Sequence, residues 1–310
     1  MSLDIICTIC ERDYAYGLGA LINSTINSGF KGKIIVGIKD KLPFWTNQLI
    51  PNSENLYYLD HIEIEFVKCE WKDHLSYYKP FIIKEIFERY PDSLIFYFDP
   101  DITILADWNF FRDWAGCGLS LCIDQSYTLL GHLHPWIKQW EQIFEIDLTS
   151  DSRTLNPYFN SGYLSIKNSE IELIVLWISL NKKLKTLGHD LKNFGVTKKI
   201  YQLSRRANPI LTDQDIFNAA ILHLKNLPVS IIGQEAMGFI PGGYIMLHNT
   251  GSKAWNKNFL NIFFKNGIKV GQADESFLKF SNTRIKLYSK RKYFIKIINL
   301  KATKILQRLF

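Results

Sequence analysis

Leu94-Ile95-Phe96-Tyr97-Phe98 is an unbroken apolar run that ends in Asp99-Pro100-Asp101. A strand that is apolar on both faces must be covered on both, which restricts the chain to a sheet packed between layers. Pro100 lacks an N–H and disfavours helix at the residue before it, so the chain leaves this strand in an extended turn. Two carboxylates, one residue apart, then stand at the open end of the sheet, where α/β folds bind ligands. Such a pair makes a hard-oxygen site for Mg²⁺ or Mn²⁺ with positions left over for a diphosphate. Turn chemistry alone also uses Asp-Pro-Asp.

With 17 Asp in 310 residues, about one Asp-x-Asp is expected by chance, so the spacing by itself is weak. The second pair, Asp213-Gln214-Asp215, precedes the helical pattern Ile216, Phe217, Ala220, Ile221, Leu224. Thr212 with Asp215 three residues on is the pattern of a capping box, and Asp213 suits the positive end of the helix dipole. A catalytic role and a capping role stand side by side for this pair.

The surrounding pattern alternates strands and helices. Ile5–Ile9, Lys33–Ile38, Ile62–Val67, Leu94–Phe98 and Leu119–Ile123 read as strands. A helix opens at Tyr16-Gly17-Leu18-Gly19, and Tyr78–Arg89 is amphipathic, ending at Tyr90-Pro91-Asp92. Trp136–Phe144 and Leu173–Leu187 are further amphipathic runs. The alternation predicts a Rossmann-like α/β fold, a mostly parallel sheet with helices on both faces.

At 47% apolar and 14% aromatic residues the chain can bury a full core. No apolar run approaches the roughly 20 residues that span a bilayer, and the start Met1-Ser2-Leu3-Asp4 lacks a signal peptide's charged opening. Five cysteines without a framework spacing suit a reducing compartment. Cys7 and Cys10 form a C-x-x-C inside a strand, where alternation sends the thiols to opposite faces. His132 and His134 lie in an aromatic loop and read more simply as packing than as metal ligands. Lys182, Lys183, Lys185, Lys192, Lys198 and Lys199 read as solvated faces.

The net charge of +7 belongs to the C-terminus, since from Lys279 onward there are ten Lys and Arg and no Asp or Glu. Tyr293, Phe294, Ile297, Ile298, Ile305, Leu309 and Phe310 fall near one side of a helix, flanked by Lys292, Lys296, Lys304 and Arg308. That pattern suits a helix lying in a membrane interface, where each basic residue gains about 1 kcal/mol near an anionic leaflet. A C-terminal helix packed on the body has the same pattern. Nucleic acid is disfavoured, because the body is slightly acidic and carries no basic stripe. The expected organisation is a catalytic body over 1–275 and a basic helical tail over 276–310.

Four segments in order carry a resemblance: Thr8-Ile9-Cys10-Glu11-Arg12-Asp13-Tyr14, Phe98-Asp99-Pro100-Asp101-Ile102, Asn160-Ser161-Gly162-Tyr163-Leu164 and His248-Asn249-Thr250-Gly251-Ser252-Lys253-Ala254-Trp255. With Asp213-Gln214-Asp215 they resemble the GT-A fold glycosyltransferases of the glycogenin and lipopolysaccharide-galactosyltransferase type, over roughly residues 4–260. The sequence departs from that pattern at Ala254 before Trp255, at Ser161, and at Cys10-Glu11.

The resemblance implies a metal held by Asp99, Asp101 and His248, with Mn²⁺ favoured over Mg²⁺ by the imidazole. It implies donor contacts from Thr8, Asp13, Tyr14, Asn160, Gly162, Gly251 and Lys253, and from a basic residue at Lys84 or Lys79. Asp213 and Gln214 would sit beside the reacting carbon and Asp124 near the acceptor. The expected activity is transfer of a hexose from a UDP-sugar to a hydroxyl of a glycan or lipid-linked saccharide, as in surface polysaccharide synthesis, with retention of configuration; an inverting enzyme would instead need Asp124 or Asp213 as base. The expected place is the cytoplasmic face of the membrane, reached through the tail. Two other readings stay open: a nucleotidyltransferase using Gly17-Leu18-Gly19 as a thin phosphate loop, and a non-catalytic adaptor at membranes or nucleic acid.

Overall fold

The computed structural model describes residues 3–148, 155–189, 191–192, 212–267 and 269–309. Lys198, Lys199 and Phe310, read above as surface or tail residues, lie outside them. The first half is built from β1 (Asp4–Cys10), α1 (Ala15–Asn27), β2 (Lys33–Ile38), β3 (Ile50–Ser53), β4 (Leu56–Leu59), β5 (Ile62–Lys68), α2 (Lys79–Arg89), β6 (Leu94–Phe98), β7 (Ile102–Ile104), α3 (Trp108–Gly116) and β8 (Leu119–Cys122). There follow β9 (Leu129–Gly131), α4 (Pro135–Phe144), β10 (Leu155–Pro157), β11 (Tyr163–Lys167), α5 (Ile171–Thr186), α6 (Asp213–His223), β12 (Val229–Ile232) and β13 (Met246–His248). The chain closes with α7 (Phe259–Asn266), α8 (Gln272–Phe280) and α9 (Lys290–Leu309).

Among the described residues the main sheet has nine strands in the order β12-β8-β11-β6-β1-β2-β5-β4-β3. All run one way except β11 and β4, which are antiparallel to their neighbours. The mostly parallel α/β sheet expected from the alternation is therefore present. In β6 all five side chains are buried, and alternation divides them between two cores. Leu94, Phe96 and Phe98 enter one core, with α1, α3 and α8; Ile95 and Tyr97 enter the other, with α2, α5 and α6. Cys7 and Cys10 part in the same way. Burial raises both thiols, Cys10 to about 12, which removes thiolate chemistry from this pair.

The start of the tail belongs to the body. The boundary expected at residue 276 falls inside α8, and Phe277, Leu278, Phe280, Ile285, Leu287 and Tyr288 are buried in the α1-side core. Asn23 of α1 stitches the segment down: its amide donates to the carbonyls of Phe280 (2.6 Å) and Ile285 (2.9 Å) and accepts from the N–H of Ile285 (2.8 Å). Two of the flanking lysines also face the body. Lys296 donates to the Trp255 carbonyl at 3.1 Å, and Lys304 pairs with Glu275 at 2.6 Å. Among the described residues no helix is long and apolar enough to cross a membrane.

Candidate active site

Backbone pairing brings the metal-ligand candidates together. The Asp99 carbonyl accepts from Ile102 N–H at 3.0 Å, so Asp99-Pro100-Asp101-Ile102 is a tight turn with proline at its second position. Its return strand, β7, pairs antiparallel with β13 so that His248 lies opposite Ile102. On the other side β11 pairs antiparallel with β6, and Asp99 N–H donates to the Gly162 carbonyl at 2.7 Å. Three segments distant in sequence thus meet at the carboxyl end of β6, a central strand of the sheet.

The ligand atoms of Asp99, Asp101 and His248 lie within 4.8 Å of one another. His248 Nε2 is 3.2 Å from Asp101 Oδ1 and 3.9 Å from Asp99 Oδ2. Gly162 keeps the space open: a Cβ there would stand 2.7 Å from His248 Cε1 and 3.0 Å from Asp99 Oδ2. Two carboxylates and one imidazole around such a space fit a divalent cation. Burial works against ionisation of Asp101, but His248 and Lys253 outweigh it and hold the carboxyl well below the usual range.

The cluster opens into a cavity of about 380 Å³. Of the residues expected at the site, Tyr14, Asp99, Asp101, Asp124, Asn160, Gly162, Asp213, Gln214, His248, Gly251 and Lys253 line it. Lys253 donates to Asp101 Oδ2 and lies 5.4 Å from the centre of the Tyr14 ring. Gly251 has a φ of +74°, a conformation that favours glycine in the loop between His248 and Lys253. Asn160 donates to Asp124 Oδ2 at 2.9 Å and accepts from Gly162 N–H at 2.9 Å.

Three expected donor contacts stand elsewhere. Thr8 is fully buried in β1 and is not among the lining residues. Asp13 is exposed, and its Oδ2 accepts from Trp255 Nε1 (2.9 Å) and Asn256 Nδ2 (2.7 Å), so it ties the loop after β1 to the loop after β13. Lys84 is ion-paired with Glu88 on the outer side of α2. Of the two lysines weighed for this role, Lys79 is the one in the cavity: its Nζ lies 3.1 Å from Asp99 Oδ1 and 3.0 Å from Asp213 Oδ2 and donates to the Ser161 carbonyl at 3.0 Å. Burial alone would lower this lysine, but Asp213 and Asp99 hold it above its ordinary value.

The second Asp-x-Asp divides its labour. Asp215 forms the capping box with Thr212 and accepts from the Tyr158 hydroxyl at 2.8 Å. Asp213 faces the cavity and accepts from Ser161 Oγ at 2.9 Å, while Gln214 Oε1 accepts from Ser161 N–H at 3.1 Å. Sequence reasoning gave no role to His74, Tyr97 or Ser161. His74 lines the cavity, and the Tyr97 hydroxyl donates to Asp99 Oδ1 at 2.8 Å.

Gly17 and Gly19 lie inside α1. A Cβ on Gly17 would meet the Pro100 carbonyl at 2.5 Å, and one on Gly19 would meet Leu287 at 2.4 Å. They are close-packing glycines, which removes the phosphate loop from the nucleotidyltransferase reading. His134 caps α4 by accepting from Trp136 N–H at 3.2 Å. Among the described residues the cluster at Asp99, Asp101 and His248 is the one group that could hold a metal.

No family model and no curated protein sequence matches the chain. Solved structures do. The apo form of the glycosyltransferase GlyE of Streptococcus pneumoniae TIGR4 superposes with a TM-score of 0.50 at 15% identity, covering 98% of this chain and 64% of GlyE. The galactosyltransferase LgtC, solved with donor and acceptor sugar analogues, gives 0.49 at 12% identity over 94% of this chain and 100% of LgtC. The bifunctional glycosyltransferase WbbM gives 0.49 at 14% identity over 95% of this chain and 52% of WbbM. The chain thus spans 64% of the length of the pneumococcal protein whose fold it shares. The fold is that of a glycosyltransferase of the GT-A class, as the sequence segments implied.

Proposed function

We propose that this chain is a divalent-metal-dependent glycosyltransferase that moves a hexose from a UDP-sugar to a hydroxyl of a glycan or lipid-linked saccharide. The observation that carries the reading is the convergence of Asp99, Asp101, His248 and Lys253 at the end of one cavity. Mn²⁺, or Mg²⁺, held by the first three would neutralise charge on the diphosphate. Lys253 is placed to pair with a diphosphate oxygen in exchange for Asp101, and the Gly251 turn allows close backbone approach. Tyr14 offers an aromatic face beside Lys253 for a nucleobase. Asp13 contributes by fixing Trp255 and Asn256, which follow Lys253 in the chain.

Asp213 and Gln214 line the same cavity and are the residues this reading assigns to the sugar. Asp124 has both carboxylate oxygens engaged, by Ser126 N–H (2.8 Å) and Asn160 Nδ2 (2.9 Å), and Asp213 is tied to Lys79 and Ser161. In this reading the departing phosphate oxygen takes the acceptor proton, while the donors on Asp124 and on Asp213 Oδ2 weaken those carboxylates as bases. That supports retention of configuration, with Asp213 and Gln214 stabilising positive charge at the reacting carbon.

Phe294, Ile298, Ile305 and Leu309 form an exposed apolar stripe on α9, 49–71% accessible, with Lys301 and Arg308 nearby. This supports association with an anionic membrane surface at its cytoplasmic face, where a lipid-linked acceptor would be met.

The test is calorimetric titration of UDP into the chain with Mn²⁺ and with EDTA, alongside Asp99→Ala/Asp101→Ala. Binding that requires both metal and carboxylates is expected. Absence of UDP binding under every condition overturns the reading.

A further inference from the structure

Lys253 stands at the head of a short 3-10 turn, Ala254–Asn256, in the loop after β13. Asn256 N–H donates to the Lys253 carbonyl at 3.0 Å, and Lys257 N–H to the Ala254 carbonyl at 3.3 Å. The turn therefore fixes the backbone of Lys253, and with it the root of the side chain that reaches Asp101 and Tyr14. Carbonyls at the end of a helical turn lack partners within it. Here those of Trp255 and Lys257 accept from Lys296 Nζ of α9, at 3.1 Å and 3.4 Å. A cation at that end also has the favourable sign for the local dipole.

Lys296 is held for this contact. α9 is tied to α8 on both sides of it, by the Tyr293 hydroxyl donating to the Leu278 carbonyl at 3.2 Å and by the Lys304–Glu275 pair. The ammonium also lies 5.3 Å from the centre of the Tyr288 ring, which is buried in the α1-side core. Burial, with Lys292 beside it, lowers this lysine below its ordinary value, and the loop carbonyls offset that cost by accepting its protons. Asn299, further along α9, adds a second hold: its Oδ1 accepts from Leu260 N–H at 3.1 Å, and its Nδ2 donates to Asn258 Oδ1 at 3.3 Å. From the same turn the Trp255 ring meets Tyr14 edge-on at 5.5 Å.

Resting on the reading above, in which Lys253 meets the diphosphate, we propose that Lys296 is a positioning residue of the donor site, with Asn299 in support. Through them α9 sets how firmly the chain holds a nucleoside diphosphate. Lys296 is not among the residues lining the cavity, so it acts through the turn. It fixes the carbonyl end of the segment whose other end is Lys253. Asp99, Asp101 and His248 are instead placed by the turn between β6 and β7 and by the pairing of β7 with β13. Loosening the Lys253 turn should therefore weaken the hold on the second phosphate and spare the cation.

The experiment is calorimetry on the full chain with Mn²⁺, comparing UDP with UMP, while Mn²⁺ titration alone reports the cation site. The unaltered chain should bind UDP more tightly than UMP. Lys296→Met keeps an apolar stem and removes the donor. It should narrow that preference about fivefold, the scale of coupling through a positioning network, with Mn²⁺ affinity unchanged. Lys296→Arg, which keeps a cation and donors, should retain the preference. General loss of stability would weaken both nucleotides alike, so their ratio separates positioning from packing. Should Lys296→Met lose Mn²⁺ binding too, Asn299→Ala carries the test from a part-exposed position, and the preference should again narrow. An unchanged ratio in a variant that binds Mn²⁺ overturns the proposal. So does an equal loss for both nucleotides, or a Lys296→Arg protein no better than Lys296→Met. Equal affinity of the unaltered chain for the two nucleotides removes the Lys253 contact and the proposal with it. Failure of the unaltered chain to bind UDP at all overturns the glycosyltransferase reading instead, which keeps the two failures apart.

Discussion

The Lys79 ammonium lies 3.0 Å from Asp213 Oδ2 and 3.1 Å from Asp99 Oδ1, so one buried cation joins the candidate metal ligands to the start of α6. A lysine at a helix N-terminus opposes the helix dipole, and its burial opposes its charge. The two carboxylates offset both effects. Lys79→Met should therefore cost about 3–5 kcal/mol in urea unfolding, the penalty for leaving buried charges unpaired. Adding Asp213→Asn should recover part of the loss. Unchanged stability in the single variant would show that the carboxylates find another partner.

Gly162→Ala should damage the site more than the fold. The added methyl meets His248 Cε1 at 2.7 Å, Asn160 Oδ1 at 2.8 Å and Asp99 Oδ2 at 3.0 Å. Overpacking of this kind costs about 1–3 kcal/mol, and here the strain falls on two metal-ligand candidates. The expected result is Mn²⁺ affinity reduced by at least about tenfold, since displaced ligands lose geometry before they lose identity. Unaltered Mn²⁺ titration in a folded Gly162→Ala protein would move the cation elsewhere.

Much of this architecture was legible in the sequence because local rules and tertiary packing agree there. β6 could only be a strand covered on both faces, and Asp-Pro-Asp could only leave it in a turn. Thr212 and Asp215 followed from capping chemistry, whereas Asp213, beside them, needed the fold to show that it faces Lys79. Choosing between Lys84 and Lys79 required knowing which face of α2 meets the sheet. One signal was present, since a lysine just before Pro80 starts the helix against its dipole and calls for nearby anions. The bonds from Trp255 and Asn256 to Asp13 span more than 240 positions, so this tie between the two loops was not legible. No local pattern encodes such a contact. The tail kept two readings open for a related reason: the periodicity shows that α9 has an apolar side without telling which residues the body covers.

Thiol chemistry offers an independent check of the packing. Cys117 is exposed and Cys7, Cys10, Cys69 and Cys122 are buried. Burial raises the buried thiols, Cys69 to about 11 and Cys10 to about 12, so almost no thiolate exists there at pH 8. A disulfide reagent at pH 8 should titrate Cys117 alone in the native chain and all five cysteines in guanidinium. Fast reaction of a second thiol without denaturant would contradict the packing of β1 against its neighbours.

The C-terminal segment both packs into the body and carries an exposed apolar stripe, and deletion and substitution separate the two. Removing 280–310 strips Phe280, Ile285, Leu287 and Tyr288 from the core and leaves the buried Asn23 amide without its partners. Loss of several large buried side chains, each worth about 2–5 kcal/mol, exceeds the stability of an ordinary domain, so this deletion should not fold. Removing 290–310 spares those residues and should yield a folded, less stable body. Membrane affinity is isolated by Phe294→Glu/Ile298→Glu/Ile305→Glu, which alters exposed positions only. Its unfolding free energy should stay within about 1 kcal/mol of the parent, because exposed substitutions cost little. Sedimentation with phosphatidylserine vesicles should fall at least about tenfold as the apolar face acquires charge. Equal sedimentation of the triple variant would assign α9 to packing alone and leave the exposed stripe without a membrane role.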